Sequence, residues 1–188
     1  DADTLGGVST AEDEAILHYI RVEPTQIRSV AVDQDNHLWV GSKEYDPRPW
    51  QQRIETETGM PITGSLANYD CGGYGALVDG HGAVWSSGYG YIGLLRFAPG
   101  LGAPPAEAGG EIAGTVFDYG MGIDPLTGDV WMGRRQSPNQ LAKFRDGGCS
   151  DVYDFPAESS GAYSDIRGVV VDGRGNVWVA NSDGKTTV

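Results

Sequence analysis

One phrase recurs four times along this chain, and it limits the possible folds more than any other feature. Residues 27–42 read IRSVAVDQDNHLWVGS, 74–88 read YGALVDGHGAVWSSG, 119–133 read YGMGIDPLTGDVWMG and 166–182 read IRGVVVDGRGNVWVANS. The aspartates Asp33, Asp79, Asp124 and Asp172 follow one another at intervals of 46, 45 and 48 residues. A tryptophan stands six or seven residues after each of them, at Trp39, Trp85, Trp131 and Trp178, so four of the five tryptophans serve the repeat.

Each unit has the same internal logic. A short, largely apolar run such as Val169-Val170-Val171 suits a strand covered on both faces. The aspartate and the Gly or Asn after it are turn chemistry, because Asp accepts local backbone hydrogen bonds and Gly or Asn takes positive φ. The tryptophan run is the returning strand of the hairpin. A strand-turn-strand unit with a period near 46 residues is that of a propeller blade, so the fold class is an all-β propeller.

The repeat divides the chain into blades at 27–70, 71–116 and 117–163, with the first half of another at 164–188; residues 1–26 are the outer strand of a preceding or shared blade. The innermost strands are predicted at Val30–Asp33, Ala76–Asp79, Met121–Asp124 and Val169–Asp172, each mostly buried, with the tryptophans packed between blades. Outer strands are expected at Gly93–Phe97, Leu141–Phe144 and Asp151–Phe155. Ala15–Val22 alternates with a two-residue period and reads as another strand. Ser9 with Glu12 has the form of a helical capping box, but helical spacing does not follow it. Two closures fit the count: a closed four-bladed ring with a shared last blade, or part of a larger propeller.

Composition narrows the partners. Acidic residues outnumber basic ones by 26 to 13, for a formal charge of -13, so the average field repels nucleic acid. No apolar run reaches the roughly 18 residues of a membrane-spanning helix. The cysteines Cys71 and Cys149 belong to no CxxC or Cys/His pattern. The strand assignment puts them on opposite faces of the blades, Cys149 in a turn, beyond the ~7 Å Cα separation that a disulfide spans.

The phrases VDGRGNVWVANSDG and VAVDQDNHLWVGS resemble the repeat of streptogramin lyase-type propellers and their NHL and gluconolactonase-like relatives. That resemblance implies a secreted, periplasmic or cell-surface protein. It also implies either a binding module or a metal-dependent lyase or lactonase, since one fold hosts many chemistries. The lyase would need a His and a Glu close together on the functional face, and His18, His37 and His81 lack that company. A calcium-dependent lactonase would need acids and amides converging on the axis, and the matching positions here hold two cations.

Those positions are Arg28, Tyr74, Tyr119 and Arg167, each five residues before its aspartate. Equal distance from a repeated marker means equal height in each blade, so these four residues are the candidate ligand site. Guanidinium groups and phenol faces suit an anionic or sugar-like guest, either a protein or a glycan ligand. The competing reading pairs them with Asp70, Asp118 and Asp165. Loops after the second strands add Lys43, Glu44 and Tyr45, then Tyr89 and Tyr91, Arg134 and Arg135, and Asn181 and Asp183. No catalytic set, metal site or cofactor is legible. A structural calcium ion at Asp33-Gln34-Asp35-Asn36 is a minor alternative, because that loop lacks a bidentate acid downstream.

Overall fold

The structure, a computed structural model, describes residues 16–23, 25–43, 50–69, 71–88, 93–97, 117–134, 140–145, 148–154 and 166–181, and their regular elements are all strands. They form four separate antiparallel sheets. The first holds β1 (Ile27–Val32), β2 (Leu38–Ser42), β3 (Trp50–Ile54) and β4 (Ala67–Asn68). The second holds β5 (Gly75–Val78), β6 (Val84–Ser87) and β7 (Leu95–Phe97). The third holds β8 (Phe117–Ile123), β9 (Val130–Arg134), β10 (Gln140–Arg145) and β11 (Gly148–Asp154), and the fourth holds β12 (Ile166–Val171) and β13 (Val177–Asn181). The inner strands β1, β5, β8 and β12 pack in that order, which is how successive propeller blades sit around an axis.

The repeated aspartate has two tasks, and the sequence disclosed only one. Its Oδ1 accepts from the turn: Asp33 from the backbone N–H of Asp35 and His37, Asp79 from His81 and Ala83, and Asp172 from Arg174 and Asn176. Its Oδ2 accepts the indole N–H of the tryptophan six residues on, at 3.0 Å for Trp39, 2.8 Å for Trp85 and 3.2 Å for Trp178. Turn and tryptophan are therefore fixed by one carboxylate. Each turn takes left-handed φ at the equivalent residue, Asn36, Gly82, Gly128 or Gly175, where Gly or Asn carries the least steric cost. In the third unit the extra residue breaks the pattern, and the Trp131 indole N–H is buried without an acceptor.

The tryptophans build the blade junctions. Trp39 packs with Tyr69, Cys71, Val84, Leu95 and Phe97, so the first blade's indole lies against the second blade's strands. Trp85 packs with Val130, Met132, Ala142 and Phe144 of the third blade. Trp131 lies against the group of Leu141, Ile166 and Val169, which joins the third blade to the fourth. Burying an aromatic side chain of this size stabilises by several kcal/mol, so these three contacts dominate the cohesion of the array.

Five expectations change here. None of the four inner segments is mostly buried: Val30 and Val32 are 57% and 53% exposed and Val170 is 59% exposed, while Ala76, Leu77, Val78, Met121 and Ile123 are half-buried. Trp178 is 53% exposed rather than packed between blades, because no described blade follows it. The described blades therefore do not close into a four-bladed ring, since the faces that would meet, at Val30 and Val32 and at Trp178, are open. Residues 16–22 form no strand although they alternate, because no neighbouring strand pairs with them. Ser9 and Glu12 lie outside the described residues. The outer strands of the second and third blades appear as β7, β10 and β11. Cys149 lies in β11 opposite Phe144 rather than in a turn, and Cys71 is buried, its Sγ donating to the Leu94 carbonyl oxygen at 3.7 Å.

Candidate functional site

At the end of the inner strands opposite the aspartate turns, the structure brings the four equivalent residues into one row. Arg28 Nη2 donates to the Tyr74 hydroxyl at 2.6 Å, with the Arg28 guanidinium 4.8 Å from the Tyr74 ring centroid. The Tyr74 and Tyr119 rings lie 4.8 Å apart, and the Arg167 guanidinium stands 5.4 Å from the Tyr119 ring. The result is an Arg–Tyr–Tyr–Arg ladder with one rung per blade. The two arginines are exposed and the two tyrosines half-buried, so the row faces solvent along its length.

Local backbone features hold it. Tyr119 has φ of +85°, a conformation unfavourable for a side chain with a Cβ, inside a register shift of β8 against β9. The Ser87 hydroxyl donates to the Tyr119 carbonyl oxygen at 2.9 Å, tying the strained residue to the second blade. Gly120 is required beside it, because a Cβ there would collide with the Arg167 backbone carbonyl. Likewise, the Tyr74 N–H donates to the Ser87 carbonyl oxygen at 2.8 Å.

The two phenols are electrostatically unequal. Burial alone would raise the Tyr74 pKa, but hydrogen bonds from Tyr119 and Arg28, with the charges of Arg28 and Lys43, bring it below the ordinary value. Tyr119 moves the other way, through its hydrogen bond to Tyr74 and then through burial. The Arg28 guanidinium that donates to the Tyr74 hydroxyl, with Lys43 nearby, favours the ionised form of Tyr74 over that of Tyr119.

Other predicted residues are less close. Lys43 follows β2 and contributes positive charge at Tyr74. Arg134 instead reaches outward along its own blade, donating to Gln140 Oε1 at 2.7 Å, while Gln140 Nε2 donates to Asp154 Oδ1 at 2.8 Å. Glu44, Tyr45, Asp70, Tyr89, Tyr91, Arg135, Asp165 and Asp183, with the side chains of Asp118 and Asn181, lie outside the described residues. The calcium alternative meets an internal cation instead. Arg53 Nε sits 2.6 Å from Asp33 Oδ2 and its Nη2 sits 2.6 Å from Asp35 Oδ2, so a guanidinium holds the place a metal would take. Burial raises the Asp33 pKa, but Arg53 and the turn N–H groups outweigh it and leave the carboxyl below its usual value.

Arg53 belongs to a set the repeat did not announce. Arg53, Arg96 and Lys143 stand directly across the ladder from Trp39, Trp85 and Trp131, with their cationic groups 6.0, 5.3 and 5.5 Å from the indole rings. A signal for them existed. Each cation precedes a buried apolar residue, Ile54, Phe97 or Phe144, in the third strand of its blade.

Against known proteins, no family model matches the sequence and no curated protein matches it significantly. Solved structures do match. A gluconolactonase from Xanthomonas campestris superposes with a TM-score of 0.56 at 16% identity, over 82% of this chain and 55% of that one. A streptogramin B lyase gives 0.58 at 13% identity, over 89% of this chain and 52% of the lyase. The extracellular domain of a two-component system protein from Bacteroides thetaiotaomicron gives 0.57 at 14% identity, over 88% of this chain and 22% of that one. The chain thus has the β-propeller fold shared by these enzymes and binding domains, and it spans about half the length of the first two.

Proposed function

We propose that this chain is a propeller binding module that takes an anionic polar ligand, a glycan or a protein segment, on the face carrying Arg28, Tyr74, Tyr119 and Arg167. The observation that supports this most is the continuity of the ladder across four blades. Two cationic groups flank two phenol rings 4.8 Å apart and tilted by 44°, one of them made more acidic, giving planar donors for a carboxylate and flat faces for a sugar ring or an aromatic group. Backbone strain at Tyr119 agrees, since such strain gathers where a side chain is held for recognition. The same reading places the module outside the cytoplasm, as a secreted, periplasmic or cell-surface protein.

The alternative, a metal-dependent lyase or lactonase, has less support. Among the described residues no three His, Cys, Asp or Glu side chains gather where they could hold a metal ion. The test is a binding screen by calorimetry against uronate-containing and neutral oligosaccharides of equal length, and against acidic and neutral peptides. Acidic ligands should bind, and Arg28→Ala with Arg167→Ala should weaken them by about 100-fold or more, as for loss of two charge-assisted contacts. Equal binding of neutral and acidic ligands, or no effect of the double variant, would reduce the ladder to a structural feature.

A further inference from the structure

Every rung of the ladder interrupts the regular pairing of its own hairpin. Arg28 and Arg167 fall in the register shifts between Ile27 and Ser29 and between Ile166 and Gly168, and Tyr119 falls in the shift between Phe117 and Met121. Tyr74 shares a partner with its neighbour: its N–H donates to the Ser87 carbonyl oxygen at 2.8 Å, while Gly75 is the residue paired with Ser87. Such irregularities re-aim a side chain, so whatever holds them decides where each rung points.

Ser87 takes part in two of the four. Its carbonyl oxygen holds Tyr74 within the second blade, and its hydroxyl crosses to the third blade and donates to the Tyr119 carbonyl oxygen at 2.9 Å. It is 0% exposed, so water does not compete for either bond. The equivalent places in the other blades, two residues after each tryptophan, are Gly41, Gly133 and Ala180, which carry no hydroxyl. The bond to Tyr119 falls on a residue with φ of +85°, and such strain in a side-chain-bearing residue persists only where the surroundings hold it. Gly75 leaves the room, since a Cβ there would stand 2.6 Å from the Ser87 hydroxyl oxygen and 3.3 Å from the Tyr119 carbonyl oxygen.

We propose that Ser87 is the positioning residue of the ladder, setting the 4.8 Å step between the Tyr74 and Tyr119 rings and, through that step, the affinity of the face for an anionic ligand. The second half rests on the binding reading above, and the first half does not. Without the hydroxyl bond Tyr119 relaxes to negative φ, which turns its Cα–Cβ bond and swings the ring out of the row. Tyr74 then loses its hydrogen bond to Tyr119, and the Arg167 guanidinium loses the ring 5.4 Å away. A row continuous over four blades becomes two separate ends. Ser87 is fully buried, so its effect on a ligand passes entirely through the two tyrosines.

The experiment joins nuclear magnetic resonance of ring-labelled tyrosine to calorimetry, on the 188-residue protein and its Ser87→Ala, Gly75→Ala and Ser65→Ala variants. Ser87→Ala deletes the hydroxyl, whereas Gly75→Ala crowds it off Tyr119 without deleting it, so if one variant fails to fold the other decides. Ser65→Ala is the control, because it removes an equally buried hydroxyl that serves Arg53 and Ile62 instead. The wild type should show ring-to-ring Overhauser cross-peaks between Tyr74 and Tyr119, assigned with Tyr74→Phe and Tyr119→Phe. Ser87→Ala and Gly75→Ala should lose those cross-peaks and bind a galacturonate tetramer or a glutamate tetramer about 10-fold more weakly, as for one lost hydrogen bond to a charged group. Ser65→Ala should keep both properties. Cross-peaks that persist in Ser87→Ala, that vanish equally in Ser65→Ala, or that vanish with affinity unchanged would overturn the proposal. If the wild type binds neither tetramer while the cross-peaks respond as expected, the binding reading fails and the control of the step by Ser87 stands.

Discussion

Trp85 and Trp178 occupy the same position in the repeat and make the same bond to their aspartates, at 2.8 and 3.2 Å, yet one is 2% exposed and the other 53%. The difference separates two levels of folding information. The hairpin is local: an aspartate, a turn residue able to take positive φ and a tryptophan six positions on fix one another whether or not a neighbour exists. Burial is borrowed from the next blade, and where no described blade follows, a correctly formed hairpin exposes its largest side chain. Stability in such an array comes from local units plus nearest-neighbour junctions.

The sharpest way to break this comparison is to truncate both indoles. Trp85→Ala empties a junction filled by Val130, Met132 and Phe144 and should cost about 3–5 kcal/mol. Trp178→Ala should cost under about 1 kcal/mol in dilute protein, because it removes a half-exposed side chain. Urea midpoints checked at low protein concentration decide it. Equal losses would mean that the last blade is packed against something, and a growing Trp178→Ala effect with concentration would point to association through that face.

The aspartate carries the next largest effect. Asp79→Ala should lower stability by about 2–4 kcal/mol, because two backbone N–H groups and a buried indole lose their acceptor together. Asp124→Ala should cost less, since its Oδ1 serves the Leu126 N–H and the Trp131 indole is not among its donors. Thermal melts of the two variants test the ordering, and a costlier Asp124→Ala would show that the turn, not the tryptophan bond, is what the repeat protects.

Much of this was legible in advance. The interval of 45 to 48 residues gave blade order, inner strands and the row of Arg28, Tyr74, Tyr119 and Arg167, because register within a repeat converts directly into height along an axis. What escaped notice depended on pairing across strands. Arg53, Arg96 and Lys143 meet their tryptophans only through the third strand's register, and their unequal distances along the chain from those tryptophans, 14, 11 and 12 residues, hide the alignment. Ile16 to Val22 failed in the opposite sense: two-residue alternation marks a strand only where a partner edge exists to satisfy its backbone.

Acid should weaken the interior units through two carboxylates. The bidentate Arg145, at 2.8 Å, together with Lys143 holds Asp129 well below the usual range against the opposing effect of burial. Asp33 is lowered by Arg53, also against burial. Both folded values lie below the unfolded ~3.9, so their stabilisation is complete above that pH and is lost as pH falls through the lower folded values. Urea midpoints should therefore drop between about pH 4 and pH 2, and Asp129→Asn should flatten that slope. An unchanged slope in the variant would assign acid sensitivity elsewhere.

The smallest expected effect isolates the indole hydrogen bond from indole packing. Trp85→Phe keeps most of an aromatic knob but deprives Asp79 Oδ2 of its buried donor, and should cost about 1–3 kcal/mol. Trp131→Phe removes an N–H that is buried without an acceptor, so the desolvation it already suffers in the folded state disappears with it. That relief offsets part of the lost ring area and of the contact with the Lys143 ammonium 5.5 Å away, leaving a change within about 1 kcal/mol. Paired melts of the two phenylalanine variants measure the gap directly. If both fall equally, the tryptophan is selected at every blade for its area alone, and the six-residue spacing serves the turn rather than the bond.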